Sequence, residues 1–276
     1  MIDQDKAQQK NEPLEYEVGV PFGDLVEEVS EGGQKVRHKG VYLLPNLFTT
    51  AALFCGFYAI ISGMHGNFAQ AAVAIFAAML LDGMDGRVAR MTNTQSAFGE
   101  QYDSLADMVS FGVAPALVVF TWALQDLGRW GWAAAFIFTA CAALRLARFN
   151  TQIGVVDKKY FVGLASPAAA SIVTAMVWVW YDIKPQGLGA AAVALTTAVS
   201  GILMVSNFRY SSFKGFDFRG RVPFVALLAI VLVFALLIIY QQAGLLVIGV
   251  IYGLSAPLLW VVGKLFKRKA IDDLDD

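Results

Sequence analysis

The sequence predicts an all-α polytopic membrane protein with about eight transmembrane helices, and three observations carry that reading. Of 276 residues, 57% are hydrophobic and 16% charged, where a soluble domain carries about 25% charged residues. The apolar residues gather in runs that approach or exceed the ~20 needed to cross a bilayer. The short alternating segments of an outer-membrane barrel do not occur. The net charge of -1 offers no footprint for a nucleic-acid partner.

Residues 1–40 read as an acidic cytoplasmic N-terminal arm, too polar to be a cleavable signal peptide. Within it, PFGDLVEEVSEGG (21–33) fits a short amphipathic helix with Phe22, Leu25, Val26 and Val29 on one face, or a partly ordered tail. A transmembrane domain then runs over 41–264, with spans at roughly 43–64, 68–90, 100–124, 130–150, 165–183, 187–206, 222–240 and 244–263. A charged cytoplasmic tail, 265–276, closes the chain. Lys and Arg cluster before span one and after spans two, four, six and eight, while the opposite connections hold only Arg129 and Lys184. Positive residues favour the cytoplasmic side, so both termini are expected there. Cys55 and Cys141 lie in separate apolar spans, which predicts neither a disulfide nor a zinc site. Trp122, Trp130, Trp132, Trp178, Trp180 and Trp260 sit near span ends, as an aromatic belt would. His38 and His65 have no ligand-type neighbours in sequence.

The chemistry concentrates at LDGMDGRVAR (81–90) and GEQYDSLADMVSFG (99–112). Asp82 and Asp85 are three apart and Asp103 and Asp107 four apart, so each pair shares a helix face. The connection between spans two and three is short, which predicts antiparallel neighbours with both pairs at one depth. An intramembrane ionisable group costs at least ~2.5 kcal/mol, and four carboxylates together repel. A divalent cation removes that repulsion, and all-oxygen ligands favour Mg²⁺, Mn²⁺ or Ca²⁺. Four carboxylates suffice for two ions. Gly83, Gly86 and Gly99 leave room for a ligand near the backbone, and Arg90 suits a phosphate. These features describe a diphosphate site near the membrane surface. The plainer alternatives are a structural charge network or a cation or proton path through a transporter. A transporter is expected to show related halves, and residues 40–150 and 165–264 show no clear repeat.

Residues 82–107 resemble the signature of the CDP-alcohol phosphotransferase family: Asp-x-x-Asp-Gly-x-x-Ala-Arg, eight residues, then Gly-x-x-x-Asp-x-x-x-Asp. Asp82, Asp85, Gly86, Ala89, Arg90, Gly99, Asp103 and Asp107 match it without a gap. The resemblance implies a six-helix core, here with two further helices, commonly in a homodimer. It implies that Asp82, Asp85, Asp103 and Asp107 bind two divalent ions, Mg²⁺ or Mn²⁺, with Asp107 also the general base. It implies that Gly86, Arg90 and Ser96 contact the CDP-diacylglycerol donor. DSLADMVSFGVAPAL (103–117), RLARFN (145–150), FVGLASPAAA (161–170) and SNFRYSSFK (206–214) resemble the branch with an L-serine acceptor. Ala165 departs from that branch, where Pro is expected. The branch implies phosphatidyl transfer from CDP-diacylglycerol to L-serine with release of CMP, at the cytoplasmic face of the inner membrane among its lipids. Glycerol 3-phosphate, inositol phosphate or choline are the alternative acceptors. Arg145 and Arg148, three apart, are candidates for the serine carboxylate or for a phosphate, or else a positive-inside anchor. Asn150 is read as bonding serine or capping its helix. Ser110 is read as a substrate contact or an intrahelical bond, and Gly112 with Pro115 as a kink.

Overall fold

The structure, a computed structural model, describes residues 26–31, 34–39, 43–91, 97–152, 160–211, 228 and 239–272. Two strands, β1 (Val26–Glu31) and β2 (Gln34–Lys39), precede the helices. Then come α1 (Leu43–Met64), α2 (Phe68–Met91), α3 (Ala97–Asp107), α4 (Ala114–Val119) and α5 (Arg129–Gln152). Strand β3 (Tyr160–Val162), α6 (Ser166–Val179), α7 (Leu188–Val205), β4 (Arg209–Ser211) and α8 (Gln241–Asp272) follow.

Among the described residues, six helical stretches are long and apolar enough to cross a membrane: 46–64, 68–91, 98–127, 129–151, 188–205 and 241–260. They fall on expected spans one to four, six and eight. The fifth, α6, has 14 residues, about 21 Å of helix against a core of ~30 Å. It stops at Trp180, before the turn that holds Pro185, well short of the expected end at 183. The seventh expected span, 222–240, lies almost wholly outside the described residues, and α8 continues past the expected 263 to Asp272.

The third span is not one regular helix. After Asp107 the turns widen to a π-helix over Met108–Val113, α4 follows with Pro115 in its first turn, and the turns widen again over Phe120–Leu124. Proline lacks an N–H and its ring crowds the carbonyl one turn back. The widened turns relieve both, which is the physical form of the kink expected at Gly112 and Pro115. Such turns recur at functional sites, and these begin next to Asp107.

Helix α1 runs along α2 and reaches α3 and α4. Helix α6 occupies the middle, against α2, α4 and α8, and α5 lies on α7. The contacts are built from small residues, such as the fully buried Ala59, Ala71 and Ala169, which let helices approach closely where lipid supplies no hydrophobic drive. Gly56 is the tightest case beside the site: a Cβ there would lie 2.6 Å from Ser110 Oγ. Ser110 donates to Ala52 O of α1 at 3.1 Å. It is therefore a link between helices, neither a substrate contact nor an intrahelical bond.

Two readings are corrected. Residues 26–31 and 34–39 pair as antiparallel strands, with Glu28 opposite Arg37 and Glu31 opposite Gln34, in place of the expected short helix or partly ordered tail. Trp122 is 1% exposed, and its indole donates to Ile183 O at 2.9 Å, so it is a core anchor and not a belt residue. Trp178 packs its ring 5.5 Å from Phe76, while Trp130, Trp132, Trp180 and Trp260 are exposed. Helices α2 and α3 meet through their carboxylates, and the third span packs on α2 over Met108–Val113 and α4, as expected of neighbouring spans. Cys55 and Cys141 are both free. At Ala165 the backbone is extended (φ -62°, ψ 139°) and Pro167 opens α6. That φ is the one a proline would impose, so the helix start keeps its geometry without it.

Candidate functional site

The site forms where α2, α3 and α5 end. Asp82 and Asp85 sit on the last turns of α2, Asp103 and Asp107 on α3. Carboxylate oxygens of Asp82, Asp85 and Asp103 lie within 4.8 Å of one another. Asp107 stands outside that trio but within hydrogen-bonding reach of Asp82, as Asp103 does of Asp85. Carboxylates this close repel unless a proton or a cation lies between them.

A divalent ion fits the donor set. Asp103 Oδ1 is buried without a hydrogen-bond partner, and a buried lone oxygen is costly to leave unmade. The three carboxylates are close enough for one cation to be shared among them. A Cβ built on Gly83 or Gly86 meets nothing within 4 Å, so open space adjoins the carboxylates. Arg90 is exposed at the end of α2, its Nε donating to Gly86 O at 2.8 Å. Ser96 lies outside the described residues.

Sequence reasoning missed the groups that hold these side chains. Thr49 of α1 is buried, and its hydroxyl donates to Asp85 Oδ2 at 2.8 Å. Thr50, one residue on, bonds the Tyr102 hydroxyl of α3 at 2.9 Å. Together they bridge α1 to both aspartate helices. A Thr-Thr pair near the start of an apolar span was the available signal.

Facing the aspartates are the last turns of α5. Arg145 lies near the Asp107 carboxylate and the Tyr252 hydroxyl, and its Nη1 donates to the buried Ser166 Oγ. Arg148 Nη2 donates to Asn207 Oδ1 at 3.1 Å. Asn150 donates to Ser104 Oγ at 3.0 Å. It ties α5 to the aspartate helix, and it is not a cap. His65 bonds its own helix at Ile61 O, 2.7 Å away. The arrangement therefore pairs a carboxylate cluster able to hold a cation with two guanidiniums at the end of α5, and leaves Gly83 and Gly86 of the aspartate helix uncovered.

The sequence model of CDP-alcohol phosphatidyltransferases matches residues 42–205, which include every one of these groups except Asn207 and Tyr252. A CDP-diacylglycerol–serine O-phosphatidyltransferase of Helicobacter pylori is 40% identical over 197 residues, covering 70% of this chain and 82% of the relative. The Bacillus subtilis protein of the same name is 32% identical over 171 residues, 62% of this chain and 91% of its own length. That of Methanocaldococcus jannaschii is 34% identical over 154 residues, 56% of this chain and 70% of its own.

Proposed function

The chain belongs to the CDP-alcohol phosphatidyltransferase family, and from that premise we propose that it is a phosphatidylserine synthase. It moves the phosphatidyl group of CDP-diacylglycerol to the hydroxyl of L-serine and releases CMP. The observation that carries the reading is the convergence of Asp82, Asp85 and Asp103 beside uncovered Gly83 and Gly86. The names of three relatives from two bacteria and an archaeon favour serine as acceptor.

Asp82, Asp85, Asp103 and Asp107 hold the metal, two Mg²⁺ or Mn²⁺ ions. When bound, these neutralise charge that builds on the phosphoryl and leaving oxygens. Gly86, Arg90 and Ser96 receive the CDP part of the donor: the glycine by leaving space, the arginine by a bidentate hold on phosphate. Arg145 and Arg148 take the serine carboxylate. Asp107, within reach of Arg145, then accepts the proton of the serine hydroxyl, a poor nucleophile at neutral pH without a base. The serine oxygen bonds the phosphorus nearer the lipid, the bond from that phosphorus to CMP breaks, and CMP carries the electron pair away. All four aspartates are engaged with metal or proton, so attack is direct and no phosphatidyl-enzyme forms. The protein works as a homodimer in the cytoplasmic membrane with this site facing the cytoplasm.

The test is CMP release and lipid product from CDP-diacylglycerol in detergent or liposomes, with L-serine, glycerol 3-phosphate, inositol phosphate or choline supplied singly. Serine-dependent phosphatidylserine is the expected result. Product with another alcohol alone would reassign the acceptor. Failure to release CMP with any of them would return the aspartates to a transport or structural role. A phosphatidylated protein trapped without serine would overturn direct attack.

A further inference from the structure

We propose that Ser166 and Asn207 are positioning residues of the acceptor subsite, each fixing one of the two α5 guanidiniums, Arg145 and Arg148. The proposal deepens the serine reading and rests on it. Arg145 and Arg148 share one face of α5. Each donates one hydrogen bond to a neutral oxygen, Arg145 to Ser166 Oγ and Arg148 to Asn207 Oδ1. A guanidinium has five N–H donors, so one such bond orients the group and leaves most of its donors for an anion. A neutral partner orients a guanidinium without itself cancelling the charge, as a carboxylate partner would.

Ser166 and Asn207 are 41 positions apart by number, yet they belong to one hydrogen-bonded unit. Strands β3 and β4 pair antiparallel, Phe161 opposite Tyr210 and Val162 opposite Arg209. The pairing continues through Gly163 N to Phe208 O at 2.9 Å and Leu164 N to Leu203 O at 3.0 Å. Ser166 follows two residues after Leu164, and Asn207 precedes Phe208. The unit is pinned to α8 by Tyr210, fully buried, whose hydroxyl donates to Gly253 O at 2.9 Å. Gly163 has φ +83°, and a Cβ there would meet Met204 O at 2.3 Å, so only glycine fits this crossing. The strap thus sets the spacing between the two arginine anchors. FVGLASP (161–167) and SNFRY (206–210), far apart in sequence, are the two sides of one bracket.

The experiment is steady-state kinetics of the full chain in liposomes, with serine and CDP-diacylglycerol varied separately. Asn207→Ala is expected to raise the serine KM roughly tenfold, the worth of one hydrogen bond to a charged group, while the CDP-diacylglycerol KM stays within about twofold. Added to Arg148→Ala, it should do nothing more, because a residue that acts through another has no separate effect once its partner is gone. Ser166→Ala should behave the same way toward Arg145→Ala. Ser166 is buried, so its variant is the one open to misfolding; the exposed Asn207 avoids that. An unmoved serine KM in active Asn207→Ala, or effects of Asn207→Ala and Arg148→Ala that multiply, would overturn the positioning role alone. No serine transfer by the unaltered chain would overturn the acceptor reading itself, and this proposal with it.

Discussion

The aspartates of α2 and α3 and the arginines of α5 line one site, but the two walls are held in different ways. On the acidic wall like charges crowd within 4.8 Å, and one buried oxygen, Asp103 Oδ1, has no partner. On the basic wall each guanidinium already rests on a neutral acceptor, Ser166 or Asn207. The first wall has the donor set of a cation site, and under the proposed function it is completed by one. The second, under the same reading, is oriented in advance for an anion. The difference teaches where ligand dependence should reside: metal removal should disable the acidic wall and leave the basic wall's geometry alone.

The strongest way to break this contrast is to take the metal away. EDTA is expected to abolish transfer, with Mg²⁺ or Mn²⁺ restoring it. Each Asp→Asn change at 82, 85, 103 or 107 should cost orders of magnitude in kcat, and Asp107→Asn should spare donor binding more than Asp82→Asn. Full turnover in EDTA would remove the distinction between the walls.

On the basic wall the loss should be smaller and should appear in a different constant. Arg145→Ala or Arg148→Ala is expected to raise the serine KM tenfold to a hundredfold, from ~1.5–3 kcal/mol per charged hydrogen bond. The donor KM should hold. Arg→Lys keeps the charge but loses the planar fork, and should also be damaging. A donor KM that moves instead would assign the arginines to the lipid diphosphate. Unchanged kinetics in the double variant would leave them as positive-inside anchors.

The strap beneath that wall can be tested through stability. Gly163→Ala forces a side chain into a left-handed backbone position, at a cost of about 1–3 kcal/mol before the contact with Met204 O is counted. A lower midpoint in thermal unfolding is expected. Wild-type stability would show that the crossing has room to relax.

Smaller again is the loss of the neutral brace on the acidic wall. Thr49→Val removes the bond to Asp85 Oδ2, worth roughly 1 kcal/mol or about fivefold. The apparent Mg²⁺ requirement should rise by about that factor, and Thr49→Ser should restore it. An unchanged Mg²⁺ titration would mean the cation alone orients Asp85.

The least effect belongs to the far end of the bundle. Lys184 and Asp126 form an ion pair at 2.9 Å with both side chains about half exposed, and such pairs contribute at most ~1 kcal/mol. Lys184→Ala should leave both KM values and kcat unaltered. A change in the metal requirement there would show that the two ends are coupled.

The sequence by itself determined the membrane class, most of the spans and the identity of the acidic residues. Those signals are local: apolar runs of bilayer length, and carboxylates at helical spacings where no charge belongs without a partner. Tertiary structure alone decided which neutral groups hold the charges. Thr49 lies 36 positions from Asp85, and Asn207 lies 59 from Arg148, so no periodicity links them. It also decided that Trp122 is buried and that 26–31 pairs with 34–39, because burial and cross-strand register depend on what the rest of the chain places alongside. The widened turns after Asp107 fall between the two cases. Gly112 and Pro115 announce a break in the helix, but whether it kinks or widens depends on α1 and α5, against which the segment packs. A carboxylate's presence can be read from one helix; its orientation requires the neighbouring helix that supplies the hydrogen bond.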